Sequence, residues 1–183
     1  NGTKAVIDAG AGKDTITVAG NRGENDFTAT VTTGPDSDTI KVDLTGITAD
    51  AGITVTDFTV GSGGDVFSTK GAIATSFVFD KDGTDMGDNE IFVYTEEGIN
   101  GTGTGGALQI SNISGKLEAP SNGQKSLLIV LNNATGIAEM YYYEEVGNNG
   151  FGSSDKLYKV ASFENITTLD VLSQLVAANF AVF

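Results

Sequence analysis

Polar and apolar residues alternate with a period of two along most of the chain, and the apolar positions favour β-branched side chains. This pattern predicts strands, because successive side chains of an extended chain point to opposite faces. The segments are Thr15–Val18, Phe27–Thr32, Thr39–Leu44, Ile53–Val60, Ile73–Phe79, Glu90–Thr95, Ala107–Ile113, Ser126–Leu131, Ala138–Glu144 and Lys156–Phe163. Clusters of Gly, Asn and Asp separate them. Helical spacing emerges only near the end. There Leu169, Val171, Leu172, Leu175 and Val176 predict a helix over 168–178, with Thr167 or Thr168 as its cap. Phe180–Phe183 then reads as extended.

A repeat overlies the alternation. Asp14, Asp26, Asp38 and Asp50 recur every 12 residues, each ahead of a β-branched run. A short fixed period of this kind predicts stacked coils; a meander of similar hairpins gives the same spacing. The expected fold is therefore all-β. A short parallel β-roll or solenoid-like part covers residues 1–70. It packs on, or continues into, a β-sandwich-like part over 71–183 with one C-terminal helix, as two regions or one continuous domain.

Composition narrows the chemistry. The 183 residues contain no Cys, His or Trp and a single Arg. That removes disulfides, zinc sites with nitrogen or sulfur ligands, and every His-based triad. The net charge of −14 argues against nucleic acid and anionic membranes as partners. No apolar run approaches the roughly 18 residues of a membrane helix, so membrane insertion is not expected. The chain begins at Asn1, as expected of a fragment or processed chain.

The acids are unevenly placed. Thirteen of the fifteen Asp lie in residues 1–90, and seven of the nine Glu lie after residue 90. Short carboxylates in Gly-rich turns are what oxygen-ligand cation sites use, although Asp is also an ordinary turn residue. Three segments share the pattern x-Gly-x-(Gly/Asp)-x-Asp-x-apolar: 9–16, 33–40 and 60–67. It approximates the nonapeptide of calcium-binding parallel β-rolls, but the first Gly of that nonapeptide is replaced by Ala9, Thr33 and Val60 and the copies are not tandem. Isolated sites are therefore expected rather than a row of ions. Gly supplies turns with positive φ, Asp supplies charge, and the apolar residue anchors the strand. The candidate ligands of Ca2+ are Gly10, Gly12 and Asp14; Gly34, Asp36 and Asp38; and Gly61, Gly63 and Asp65. A second candidate cluster is Asp80, Asp82, Asp85 and Asp88, between two predicted strands. It is not an EF-hand loop, which needs Gly at its sixth position (here Asp85) and an acid at its twelfth (here Ile91).

Residues 54–67, with Asp57-Phe58, Gly61 and Asp65-Val66-Phe67, resemble the stretch that closes β-roll blocks in RTX proteins, which leave the cell by type I secretion. Residues 134–150 and 156–163 resemble that family's Gly and Leu-Tyr-Tyr-Asp segment, with Glu144 in place of the Asp. The tail, 165–183, ends in Phe180-Ala-Val-Phe183 and is similar to the family's secretion signal. The resemblance adds Asp57 to the candidate metal ligands. It implies an exported protein, such as a surface-layer protein, an adhesin or a cyanobacterial surface protein.

No enzyme emerges. There is no Gly-x-Ser-x-Gly elbow, and Gly10–Thr15 lacks the leading Gly and the following helix of a phosphate loop. The expectation is a non-enzymatic, calcium-stabilised structural domain of an extracellular or cell-surface protein. Its expected partners are copies of itself, other surface proteins or surface polysaccharide. Two alternatives stand: a filament or pilus subunit that exchanges strands, and a carbohydrate-binding or carbohydrate-acting β domain.

Overall fold

A computed structural model describes residues 3–19, 27–74, 76–81, 83–118, 121–147 and 150–183. It is mostly β, with two sheets that are parallel in part and two short helices. The first six strands are β1 (Thr3–Asp8), β2 (Thr15–Val18), β3 (Phe27–Thr32), β4 (Thr39–Asp43), β5 (Gly52–Val55) and β6 (Val66–Lys70). The chain changes sheet at every step: β1, β3 and β5 are neighbours in one sheet, and β2, β4 and β6 in the other. All these pairings are parallel. Thr28 lies beside Gly52 and Thr15 beside Thr39, so one circuit takes 24 residues; the step from Thr39 to Val66 takes 27.

This corrects the 12-residue reading of the Asp repeat. Half a circuit separates one sheet from the other, so Asp14 stacks over Asp38 and then Asp65, whereas Asp50 serves elsewhere. Asp26 lies outside the described residues. The alternation holds as expected. Inward residues form columns: Ala5, Ala29 and Ile53; Ile7, Val31 and Val55; Ile16, Ile40 and Phe67. Each buried Ile, Val or Phe contributes about 1.5–3 kcal/mol.

Both sheets continue past residue 70. β7 (Val78–Asp80), β8 (Glu90–Ile99), β9 (Lys125–Asn132), β10 (Ile137–Glu144) and β11 (Lys156–Phe163) extend the first sheet in the order β5, β11, β10, β9, β8, β7. The β9–β10 and β10–β11 pairings are antiparallel. The tail strand β12 (Phe180–Val182) lies parallel on the edge of β6. One core runs from Ile16 through Phe67 and Phe163 to Phe180, joining the chain on both sides of residue 70.

Over β8, β9 and β10 both faces of the sheet are covered. Tyr142 faces the core between the sheets, while Tyr141 and Tyr143 face a second cluster with Phe92, Ile113 and Leu117. The Tyr run is therefore buried on both sides, which explains the nearly continuous apolar sequence of these strands. The cover includes helix α1 (Ile110–Ile113), where a strand is predicted. Asn112 overrides that pattern by accepting the Gln109 N–H at 2.8 Å, a local cap. The predicted C-terminal helix shortens to α2 (Leu169–Leu172), capped by Thr168, followed by a 3-10 turn at Ala177–Asn179. The predicted strand at Ile73–Phe79 reduces to β7.

Candidate metal centre

The turns that join the two sheets stack as the strands do, and the candidate residues gather there. Gly10, Gly12, Gly34, Gly61 and Gly63 all have positive φ, as the turn chemistry requires. The tightest is Gly34, whose φ is +105°. A Cβ there would sit 1.8 Å from the Gly10 carbonyl oxygen of the circuit before.

The Asp side chains bridge successive circuits. Asp36 accepts the Gly12 N–H at 2.9 Å, and Asp38 Oδ1 accepts the Asp14 N–H at 2.7 Å. One circuit on, Asp65 Oδ1 accepts the Asp38 N–H at 2.9 Å. Asp65 Oδ2 accepts the Thr59 N–H at 2.8 Å and shares the Thr33 hydroxyl, 3.0 Å away, with Asp57 Oδ1 at 2.9 Å. Asp57 accepts the Thr33 N–H through Oδ1 and the Gly34 N–H through Oδ2. Burial pushes the Asp57 carboxyl up, but bonds from Thr33, Gly34 and Thr56 outweigh it and hold the group below its ordinary value. The ladder has a direction: each circuit offers its carboxylates to the N–H groups of the circuit before it.

Asp36, Asp57 and Asp65 thus spend oxygens on the backbone. Asp14 Oδ2 and Asp38 Oδ2 do not. Both atoms are buried and have no hydrogen-bond partner, and they lie on consecutive levels of one column. The asymmetry has a cause. Asp65 Oδ2 has two donors within reach, the Thr33 hydroxyl and the Thr59 N–H of a turn three residues longer than the one before it, whereas the residue in the Thr33 position one circuit earlier is Ala9, which has no hydroxyl for Asp38. An orphaned carboxylate oxygen costs about 1–3 kcal/mol or more, so this pair fits a cation. No group of three or more acids converges to form a metal site among the described residues, so the remaining ligands would be backbone carbonyls.

The second cluster is not gathered in the expected way. Asp88 accepts the Lys125 N–H at 2.9 Å, and Asp80 accepts the Lys81 N–H at 2.6 Å. Asp85 is exposed, and Asp82 lies outside the described residues. The acid at the centre is Glu90, which the Asp pattern passes over. It is buried at the start of β8 and accepts the Gly87 N–H. Burial, with the charges of Asp80 and Asp85, holds its carboxyl above the ordinary value despite that bond.

Another residue outside the expected set is Asn179. Fully buried, it donates to the carbonyls of Thr59, Gly61 and Asp65 and accepts the N–H groups of Gly61 and Val176. It plugs the last turn of the stack, and β12 covers the strand edge beside it. The only sequence signal was an Asn inside an apolar tail. Compared with known proteins, the chain matches no family model, no curated protein and no solved structure.

Proposed function

We propose that this chain is a non-enzymatic structural domain of an exported cell-surface protein, with its parallel winding acting as a short β-roll that a calcium-class cation stabilises. The reading rests on one observation: two consecutive Asp of the turn column each keep a buried carboxylate oxygen without a donor. Asp14 and Asp38 would hold the ion, and a bound divalent cation would supply the positive charge that their two unserved oxygens lack. Asp36, Asp57 and Asp65 act instead as backbone acceptors that set the register of the circuits. The candidate metal set thereby narrows to the two Asp whose second oxygen has no donor.

Low cytosolic calcium would leave the N-terminal circuits loose for export, and millimolar calcium outside would close them. At free calcium 100-fold above Kd, one site adds roughly 2.7 kcal/mol. The test is thermal melting followed by circular dichroism, in EGTA and with calcium titrated back. The expected result is a higher midpoint in calcium that Asp38→Asn abolishes. A midpoint indifferent to calcium sinks the reading.

A second reading, a subunit that exchanges strands, draws on the three-residue cap β12 and on the edges of β1 and β2 at the opposite end. It predicts polymers that survive EGTA.

A further inference from the structure

The described residues hold three buried carboxylate oxygens without a hydrogen-bond partner, and the third lies far from the turn column: Glu145 Oε1. Glu145 directly follows β10 and is only 2% exposed. Its N–H donates to the Gln124 carbonyl at 2.9 Å, and its Oε2 accepts the Gly123 N–H at 2.9 Å. The first bond fixes the backbone and the second the side chain against the turn before β9, yet neither serves Oε1. Asp155 stands across from this turn, just before β11. It accepts the N–H of Val146, the residue after Glu145, at 3.0 Å, and also the Gly152 N–H and the Tyr143 hydroxyl.

Tyr143, two residues before Glu145, is hydrogen-bonded to Asp155. It is fully buried, its ring rests on Phe151, and its hydroxyl bonds Asp155 at 3.1 Å. Burial raises its pKa first; the bond to Asp155 and the charges of Asp155 and Glu145 raise it further. The lysines at this end of the sheet are already engaged: Lys125 and Lys156 lie 3.7 Å and 2.8 Å from Glu144. Neither pairs with Glu145.

We infer that Glu145 anchors a second cation site, for a hard divalent ion of the calcium class and independent of the turn column, with Asp155, fixed to the N–H of the next residue, as its second acid. The physical requirement is that an ionised oxygen withdrawn from water needs positive charge or a donor, and the described residues supply neither to Oε1. Carboxylate oxygens with backbone carbonyls suit calcium and give nothing to softer metals.

Tyr143 makes the site testable, because a terbium ion bound there accepts excitation energy from the adjacent phenol. Terbium is titrated into the full chain with excitation at the tyrosine band, and calcium binding is measured by calorimetry. The expected result is sensitised emission that calcium displaces. Glu145→Gln, checked for folding by circular dichroism, should weaken this binding by about tenfold or more. Asp38→Asn should leave it intact, which separates this site from the turn column. Tyr143→Phe keeps both carboxylates, so it should retain calcium binding while losing the emission. Emission that persists undiminished in Tyr143→Phe places the terbium elsewhere and overturns the inference. So does unchanged binding in folded Glu145→Gln, or the absence of any emission in the unaltered chain.

Discussion

The orphaned Asp38 oxygen can be given a donor by one substitution, Ala9→Thr. Ala9 occupies the position of Thr33 one circuit earlier, since Asp8 pairs with Thr32. Asp38 occupies the position of Asp65, since Thr39 pairs with Val66. Thr33 Oγ1 lies 3.0 Å from Asp65 Oδ2, so the hydroxyl that Ala9→Thr introduces should meet Asp38 Oδ2 in the same way. A hydrogen bond to a charged group is worth about 1.5–3 kcal/mol. Fixing the new rotamer takes part of that back, leaving about 1–2 kcal/mol. In a domain of this size the midpoint should rise by roughly 2–8 °C. The assay is thermal melting of the unaltered chain, Ala9→Thr, Asp38→Asn and the double variant, each in EGTA and in calcium. The gain should be full in EGTA and smaller in calcium, because hydroxyl and cation compete for one oxygen. It should shrink in the Asp38→Asn background, where the acceptor is no longer charged. An Ala9→Thr midpoint unchanged in EGTA, or a gain unaffected by Asp38→Asn, refutes the reasoning.

Three further outcomes follow from the same geometry. Asn179→Ala strands the buried carbonyls of Thr59, Gly61 and Asp65 and should cost about 2–4 kcal/mol in urea unfolding; a loss well under that would mean β12 holds the cap without it. Gly34→Ala drives a Cβ onto the Gly10 carbonyl at a φ of +105° and should cost about 3 kcal/mol or more, measured in the same titration. Glu90→Gln should change the pH profile of the midpoint. The folded Glu90 pKa lies above 4.5, so its contribution to stability is fully present below pH 4.5 and is lost as pH rises through the folded value. The Gln variant should gain on the unaltered chain above that window and not below it, and parallel profiles would contradict the assignment.

Much of this architecture could be read from the residues. Period-two alternation marked the strands because their buried columns need every second position, and the positive-φ turns fell on the Gly of the three Asp motifs. The period itself misled, because a 12-residue recurrence of Asp says nothing about which sheet each copy enters. Only the pairings reveal the circuit of 24. The α1 segment was missed because Leu108 and Ile110 alternate as in a strand, although the three-residue step from Ile110 to Ile113 suits a helix, and the Asn112 cap that decides the matter is one polar contact. The same limit applies at the turns. A Gly-x-Asp corner reads alike whether its carboxylate meets a metal or a backbone N–H 24 residues away. The distinction lies in which oxygen stays unserved, and that turns on donors supplied from elsewhere in the chain: the Thr33 hydroxyl and the Thr59 N–H reach Asp65, and Ala9 offers Asp38 no hydroxyl.

The division of acids, with Asp early and Glu late, acquires a physical cause in these contacts. In the parallel winding, neighbouring circuits stand about 4.8 Å apart, and a carboxylate one methylene from the backbone meets the N–H of the level before it, as Asp38 and Asp65 do. A longer side chain would carry the charge past that donor. In the antiparallel region two acids sit within β10 and reach sideways. Glu144 on β10 contacts Lys125 on β9 and Lys156 on β11, and Glu139 contacts Asn132 and Lys159 on the same two flanking strands. Spanning both neighbours takes the second methylene. Asp36, Asp38 and Asp65 are thus the acids of vertical stacking, and Glu139 and Glu144 those of lateral pairing. Glu145 continues the β10 series one residue beyond the strand, where the lateral lysines no longer reach, and its second oxygen is left over for that reason.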